Sequence, residues 1–212
     1  MTHETAIPWH GEVITEAMES TLRSLQERSI LAPFYLVGGT GLALRLGHRR
    51  SRDLDFFRAS PLDERALLSE VQSLDGFSLT AVAPTTLHAV VQGTRVSFLE
   101  YSYPLLFPGD RFLGVVVADS RDIACMKLSA VASRGSKRDF VDVWAAAQQH
   151  GLPHLVELFQ QKYAQAAYNL VHVLKSLTYF EDADKDPMPD MLLSLPWDEV
   201  REFFLAQSPR LL

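Results

Sequence analysis

Two aspartates separated by one residue, Asp53 and Asp55, interrupt the apolar run "DLDFF". In an extended strand, residues i and i+2 project to one face, so the two carboxylates point together while Leu54 and Phe56 point the other way. Carboxylates that close repel each other and need a neutralising partner. A divalent cation, Mg²⁺ or Mn²⁺, is the simplest one. Hard oxygen donors suit such an ion, which takes phosphate oxygens as further ligands. The blander reading is a strand end at a sheet edge with two solvated aspartates.

A second feature lies just upstream. Gly38-Gly39 follows the apolar "FYLV" and opens "TGLALRL". A strand–glycine–helix junction presents backbone N–H groups to a phosphate. Thr40 adds a hydroxyl and is also placed to cap a helix running to Leu46. Alone, the junction describes an ordinary turn. Together with the aspartates it makes a phosphate cradle and a metal site, separated by one short helix and the basic loop "GHRRSR". That loop reads equally as a solvated turn, or as cations (His48, Arg49, Arg50, Arg52) that balance Asp53 and Asp55 or hold a triphosphate. Ser51 is placed to brace the loop.

These residues need a framework. Residues 34–37 read as a buried strand, and Leu54, Phe56 and Phe57 mark another. Helices are expected over 12–30 and 61–74. "FSLTAVA", "TLHAVVQ", "RVSFLEY" and "FLGVVVA" each read as a strand, with "QGTR" as a hairpin turn. From Ser120 the pattern becomes helical, with a break at "RGSK", a stop at Gly151, two helices within 153–180, a polar loop "DADKDPMPD" and a last helix from Pro196. The expected fold class is α+β: a mixed sheet with flanking helices over 1–118, then a helical half over 119–212.

The 212-residue chain is 47% hydrophobic and 22% charged, ordinary values for a globular protein. Its net charge of −6 argues against an extended basic surface, while leaving room for a local cationic site. The single cysteine, Cys125, cannot form an internal disulfide and reads as a packing residue. With no basic-then-apolar leader pattern in "MTHETAIPWHGEV" and no apolar run long enough for a membrane span, a cytoplasmic location and no membrane partner are expected. His88, in an apolar strand, reads as a satisfied core histidine.

The stretch "GGTGLALRLGHRRSRDLDFF" resembles the first motif of nucleotidyltransferases with a DNA-polymerase-β-like fold, and more narrowly that of the AbiEii/AbiGii toxin family. The positions that carry it are Gly38, Gly39, Thr40, Leu42, Arg50, Ser51, Asp53, Asp55 and Phe56. A later motif is matched by "DIACMKLSAVASRGSKRDFVDVW" through Asp122, Lys127, Arg134, Arg138, Asp139 and Asp142. The resemblance implies a metal-dependent transfer of NMP from an NTP to an acceptor. Asp53 and Asp55 would hold the metal, and Gly38, Gly39, Thr40, Arg50, Ser51, Lys127 and Arg134 the nucleotide. Lys127 would neutralise the phosphates, and Lys127→Ala would cost far more activity than stability. The implied partners are NTP, an RNA acceptor such as the tRNA 3′ end, and a protein antitoxin.

The superfamily usually has a third carboxylate on a later strand, where this chain has Ser97. Glu100 lies on the opposite strand face. The third acid is then Glu100, Asp139 or Asp142, or is absent. The resemblance favours Asp139 and Asp142, three apart on one helix face, as active-site carboxylates that approach the cleft. Two rival functions remain: transfer to a small molecule, as in antibiotic-modifying enzymes, and a non-catalytic nucleotide-binding or interaction module.

Overall fold

β-Branched and aromatic runs build seven strands: β1 (Tyr35–Val37), β2 (Asp53–Arg58), β3 (Ser78–Ala83), β4 (Thr86–Val91), β5 (Thr94–Glu100), β6 (Asp110–Phe112) and β7 (Val115–Val117). The structure, a computed structural model, describes residues 8–211, so part of the stretch read for a leader, residues 1–7, lies outside it. The strands form one mixed sheet of order β3-β4-β5-β2-β1-β7-β6. β2 is central, antiparallel to β1 and parallel to β5.

Alternation along β2 divides the sheet into two faces. Leu54 and Phe56 are fully buried, and Phe56 stacks on Phe98 of β5 at 5.3 Å. The same core takes Met18, Leu22 and Leu25 from helix α1 (Glu16–Glu27) and Leu67 and Val71 from α3 (Glu64–Val71). The opposite face carries Asp53 and Asp55. A register of Asp53 with Arg95, and of Asp55 with Ser97, extends that polar row onto β5.

Helix α2 (Gly38–Leu46) crosses between β1 and β2 and packs on α4 (Ser120–Arg134) and α5 (Lys137–His150). Gly135, left-handed at φ 54°, ends α4 and separates it from α5. The chain continues through α6 (Leu152–Lys162), α7 (Leu170–Ser176), α8 (Glu181–Lys185) and α9 (Trp197–Gln207). Phe140 of α5 is the hub of their core, in contact with Phe180, Trp197 and Phe204.

Three local expectations need correction. Thr40 does not cap α2. The helix begins at Gly38, and the buried Thr40 hydroxyl is bonded to Ser51 Oγ (2.8 Å) and to the carbonyl of Asp53. "FLGVVVA" is not one strand: Leu113 and Gly114, at φ 49° and 83°, fold it into the turn between β6 and β7. "DADKDPMPD" begins as α8, and the extended remainder returns to the basic loop, where Met191 bridges to Arg49.

A buried ion pair pins the helices to the sheet's connecting loop. Lys162 Nζ meets Asp122 Oδ1 at 2.7 Å and the Pro104 carbonyl at 2.6 Å, with both charged side chains fully buried. Asp122 also accepts from the backbone N–H groups of Leu106 and Phe107. Removing one partner strands the other charge away from water. Lys162→Ala is expected to cost about 3–5 kcal/mol of unfolding free energy in urea titrations; a loss under about 1 kcal/mol would contradict this role for the pair.

Candidate active site

Asp55 lies opposite Val37, the last residue of β1, so the chain turns into α2 directly beside its carboxylate. That turn requires glycine. Gly38 adopts φ 66°, and a Cβ there would strike the Asp55 carboxylate. At Gly39 a Cβ would strike the guanidinium of Arg49. No side chain caps α2, which leaves N–H groups of its first turn for another acceptor. Asp53 accepts from Arg95 Nε at 2.6 Å. Burial raises the Asp55 carboxyl above the usual carboxylate range; Lys127 draws it down, and the nearby Asp53 pushes it up again.

Behind this pair sits a buried charge cluster. Lys127, 7% exposed, places Nζ 2.9 Å from Asp139 Oδ1 and 2.7 Å from Asp142 Oδ2. Asp142 also receives two bonds from Arg49, Nε at 2.7 Å and Nη2 at 2.9 Å, and one from His48 Nε2 at 2.8 Å. Asp139 receives Arg134 Nε at 2.7 Å, Arg134 Nη2 at 2.9 Å and the Ser136 hydroxyl at 2.5 Å. Burial alone would raise both carboxyls. Against it, Arg134 and Lys127 lower Asp139 to about 2, and Arg49 and Lys127 hold Asp142 well below its ordinary range. Burial lowers His48, so it is a neutral imidazole donating from Nε2.

A cavity of about 560 Å³ opens over these groups. Gly39, Arg50, Ser51, Asp53, Asp55, Lys127 and Arg134 all line it, among the residues singled out from sequence. Gly38 stands behind the Asp55 carboxylate, and Thr40 is fully buried with its hydroxyl engaged elsewhere, so neither reaches the cavity wall.

The expectation that Asp139 and Asp142 approach the cleft is corrected. Both are fully buried, and their oxygens are taken by Lys127, Arg49, Arg134, His48 and Ser136. They position the cations and are not free to replace a strand carboxylate. Glu100 is not that carboxylate either, since it accepts from the Leu62 N–H at 3.0 Å on the other side of the sheet. Ser97 does stand beside Asp55, and its hydroxyl bonds His88 Nδ1 at 3.0 Å. Sequence reasoning passed over Arg95 and the wall formed by residues 186–190. Arg95 was within reach of the period-2 rule, lying two residues before Ser97 on the same face. Nothing local signals the wall, which depends on Arg50 N–H donating to the Asp190 carbonyl at 2.7 Å.

The cluster also corrects the expected behaviour of Lys127→Ala, which would leave two buried carboxylates short of a cation and destabilise the fold by about 3–5 kcal/mol. The low Asp139 value has a defined pH signature. A folded pKa of about 2 against an unfolded value near 3.9 contributes about 2.6 kcal/mol, present above pH ~4 and lost as pH falls towards 2. Urea midpoints should fall across that window, and Arg134→Ala should flatten the fall. A midpoint independent of pH from 4 to 2 would refute the pairing.

The family model for the nucleotidyl transferase AbiEii toxin of type IV toxin–antitoxin systems matches residues 21–113 and 90–210. An uncharacterized protein of Aquifex aeolicus, aq_aa25, is 37% identical over 197 residues, covering 90% of this chain and 94% of its own. Among solved structures, a provisionally assigned nucleotidyltransferase from H. pylori superposes with a TM-score of 0.51 at 16% identity, over 93% of this chain and 95% of that one. The antibiotic-modifying ANT(2")-Ia, solved with adenylyl-2"-tobramycin, gives 0.52 at 15% identity, over 69% of this chain and 99% of its own. Those two likenesses concern the fold. The family match and the close relative carry more, and the chain belongs to the AbiEii toxin family as a nucleotidyltransferase.

Proposed function

We propose that the protein transfers a nucleoside monophosphate from an NTP to the 3′ end of an RNA such as tRNA, with a divalent metal, and that a protein antitoxin restrains it. The observation that carries this reading is the charge around the cavity. Seven Lys and Arg side chains line it against four aspartates, and with Asp139 and Asp142 paired behind the wall to Lys127, Arg49 and Arg134 the excess is one positive charge, in a chain whose net charge is −6. A cavity so biased concentrates polyanions.

The chemistry follows from the residues present. Asp53 and Asp55 fit a divalent ion: two carboxylates share a strand face, and burial disfavours the charge of Asp55 until a cation compensates it. Among the described residues no third His, Cys, Asp or Glu joins them; Mg²⁺ or Mn²⁺ held there would take its further ligands from water and phosphate oxygens. When bound, the ion supplies Lewis-acid charge at the phosphoryl oxygens. Lys127 has three donors, two of which are directed at Asp139 and Asp142, leaving the third for a phosphate. The N–H groups at the start of α2 offer further donors. Attack of an acceptor hydroxyl on the α-phosphorus breaks its bond to the bridging oxygen and releases pyrophosphate. Because Lys127 and Arg134 are already held in place, their charge meets the leaving group without reorganisation.

A small aminated acceptor is the second reading, favoured by Asp186 and Asp190 on the wall formed by residues 186–190. Incubation with Mg²⁺ and each of four labelled NTPs, in parallel with total RNA and with an aminoglycoside, separates the two. Label is expected in RNA, abolished by EDTA and reduced at least about a hundredfold in Asp53→Asn and Asp55→Asn. Asp55→Asn should fold as stably as wild type or better, because the folded state disfavours the charge at this site. Transfer only to an aminoglycoside would move the acceptor assignment. Transfer at the wild-type rate by both variants would remove the metal site.

A further inference from the structure

A second cavity, of about 400 Å³, shares Arg134 with the first. One side is the end of α4, from Val131 to Gly135. The other is the face of α7 and its following turn that carries His172, Lys175 and Tyr179. His172 and Lys175, spaced i and i+3, share one face of α7, and Tyr179 lies in the segment beyond the helix end at Ser176. The size falls within the range of small-ligand sites.

The chemistry of the lining is specific. The Tyr179 ring is 56% exposed, yet its hydroxyl is anchored on Glu181 Oε2 at 2.5 Å, so it offers a fixed aromatic face to solvent. Lys175 is exposed and forms no ion pair among the described residues. His172 donates from Nε2 to the Ala132 carbonyl at 3.2 Å. Arg134 is fixed on Asp139 through Nε and Nη2 and still borders both cavities. The one acid in the lining, Asp182, is met by Lys185 at 3.3 Å. An exposed aromatic plane beside a free ammonium, joined by a fixed guanidinium to a cation-lined cavity, matches a base and its phosphate in a single strand.

We infer that this cavity is a subsite for a nucleotide upstream of the reacting 3′ end in a single-stranded RNA acceptor. The base stacks on Tyr179 and the phosphate meets Lys175, while Arg134 lies between this nucleotide and the terminal one. The inference rests on the RNA-acceptor reading above. It explains how a net-acidic protein holds RNA: the contact is confined to one strand and a few cations, and needs no basic surface.

The test uses the full chain and a 5′-fluorescein hexaribonucleotide with a free 3′ hydroxyl, read by anisotropy, with transfer of labelled NTP to the same oligonucleotide run alongside. Tyr179 and Lys175 are exposed, so their removal leaves the fold intact. Tyr179→Ala and Lys175→Ala are expected to weaken binding about tenfold, while Tyr179→Phe binds as wild type. Lys175→Ala should lower the slope of log Kd against log salt concentration by about 0.7, and Tyr179→Ala should leave that slope unchanged. Wild-type binding by both Ala variants, or no binding by the wild-type protein, would overturn the subsite. Subsite-dependent binding without label transfer supports the subsite and removes the RNA-acceptor reaction instead, so the two failures are distinguishable.

Discussion

The ammonium of Lys127 is held between two aspartates that have no contact with water, and the arrangement of the site depends on it. Asp139 and Asp142 lie one helical turn apart on α5, and Lys127 reaches them from α4. Arg49 and His48 complete Asp142 from the loop after α2, which joins the helices to the strand carrying Asp53 and Asp55. Charges removed from water this far are tolerated only when every partner is in place. The cluster is therefore weak as a source of stability and strong as a constraint on position. It sets Lys127 and Arg134 against the cavity in which Asp53 and Asp55 stand.

The four aspartates illustrate how environment divides one residue type between two roles. Asp139 and Asp142 are surrounded by cations and are held ionised far below the usual range, so they have no remaining affinity to offer a metal or a proton. Asp55, enclosed but poor in cations, has its carboxyl raised and gains from any cation that arrives. Asp53 is tied to the exposed Arg95, a solvent-screened pair that a stronger ligand can displace at low cost. Of these four, only Asp53 and Asp55 line the cavity, and only they retain a need for charge compensation.

Much of this was legible in the chain. Period-2 alternation put Asp53 and Asp55 on one face, and the strand–Gly-Gly–helix junction put Gly38 beside them, because both rules are local. Lys127 was legible as inward-pointing only through its resemblance to a known motif, since a lysine between Met126 and Leu128 also fits an exposed stripe. The enclosure of Asp142 has a long-range cause: its partners Arg49 and His48 are about ninety residues away in sequence, and helix spacing carries no information about what a face will meet. Asp139 is enclosed by nearer residues, Lys127, Arg134 and Ser136, whose side-chain directions the spacing does not give. Thr40 failed for a similar reason: as a residue after two glycines it reads as a cap, but tertiary contact with Ser51 and Asp53 claims its hydroxyl.

The central claim is that the buried aspartates place a charge for chemistry and do not merely hold the fold. The most direct measurement compares stability and transfer rate in the double variant Lys127→Met, Asp142→Asn with each single variant. Asp142→Asn also takes the carboxylate from the buried Arg49, so unfolding free energy in the double variant should not exceed that of Lys127→Met alone. Nucleotidyl transfer should stay as low as in Lys127→Met. Recovery of both stability and transfer in the double variant would contradict the account, because it would show that Lys127 serves only to balance Asp142.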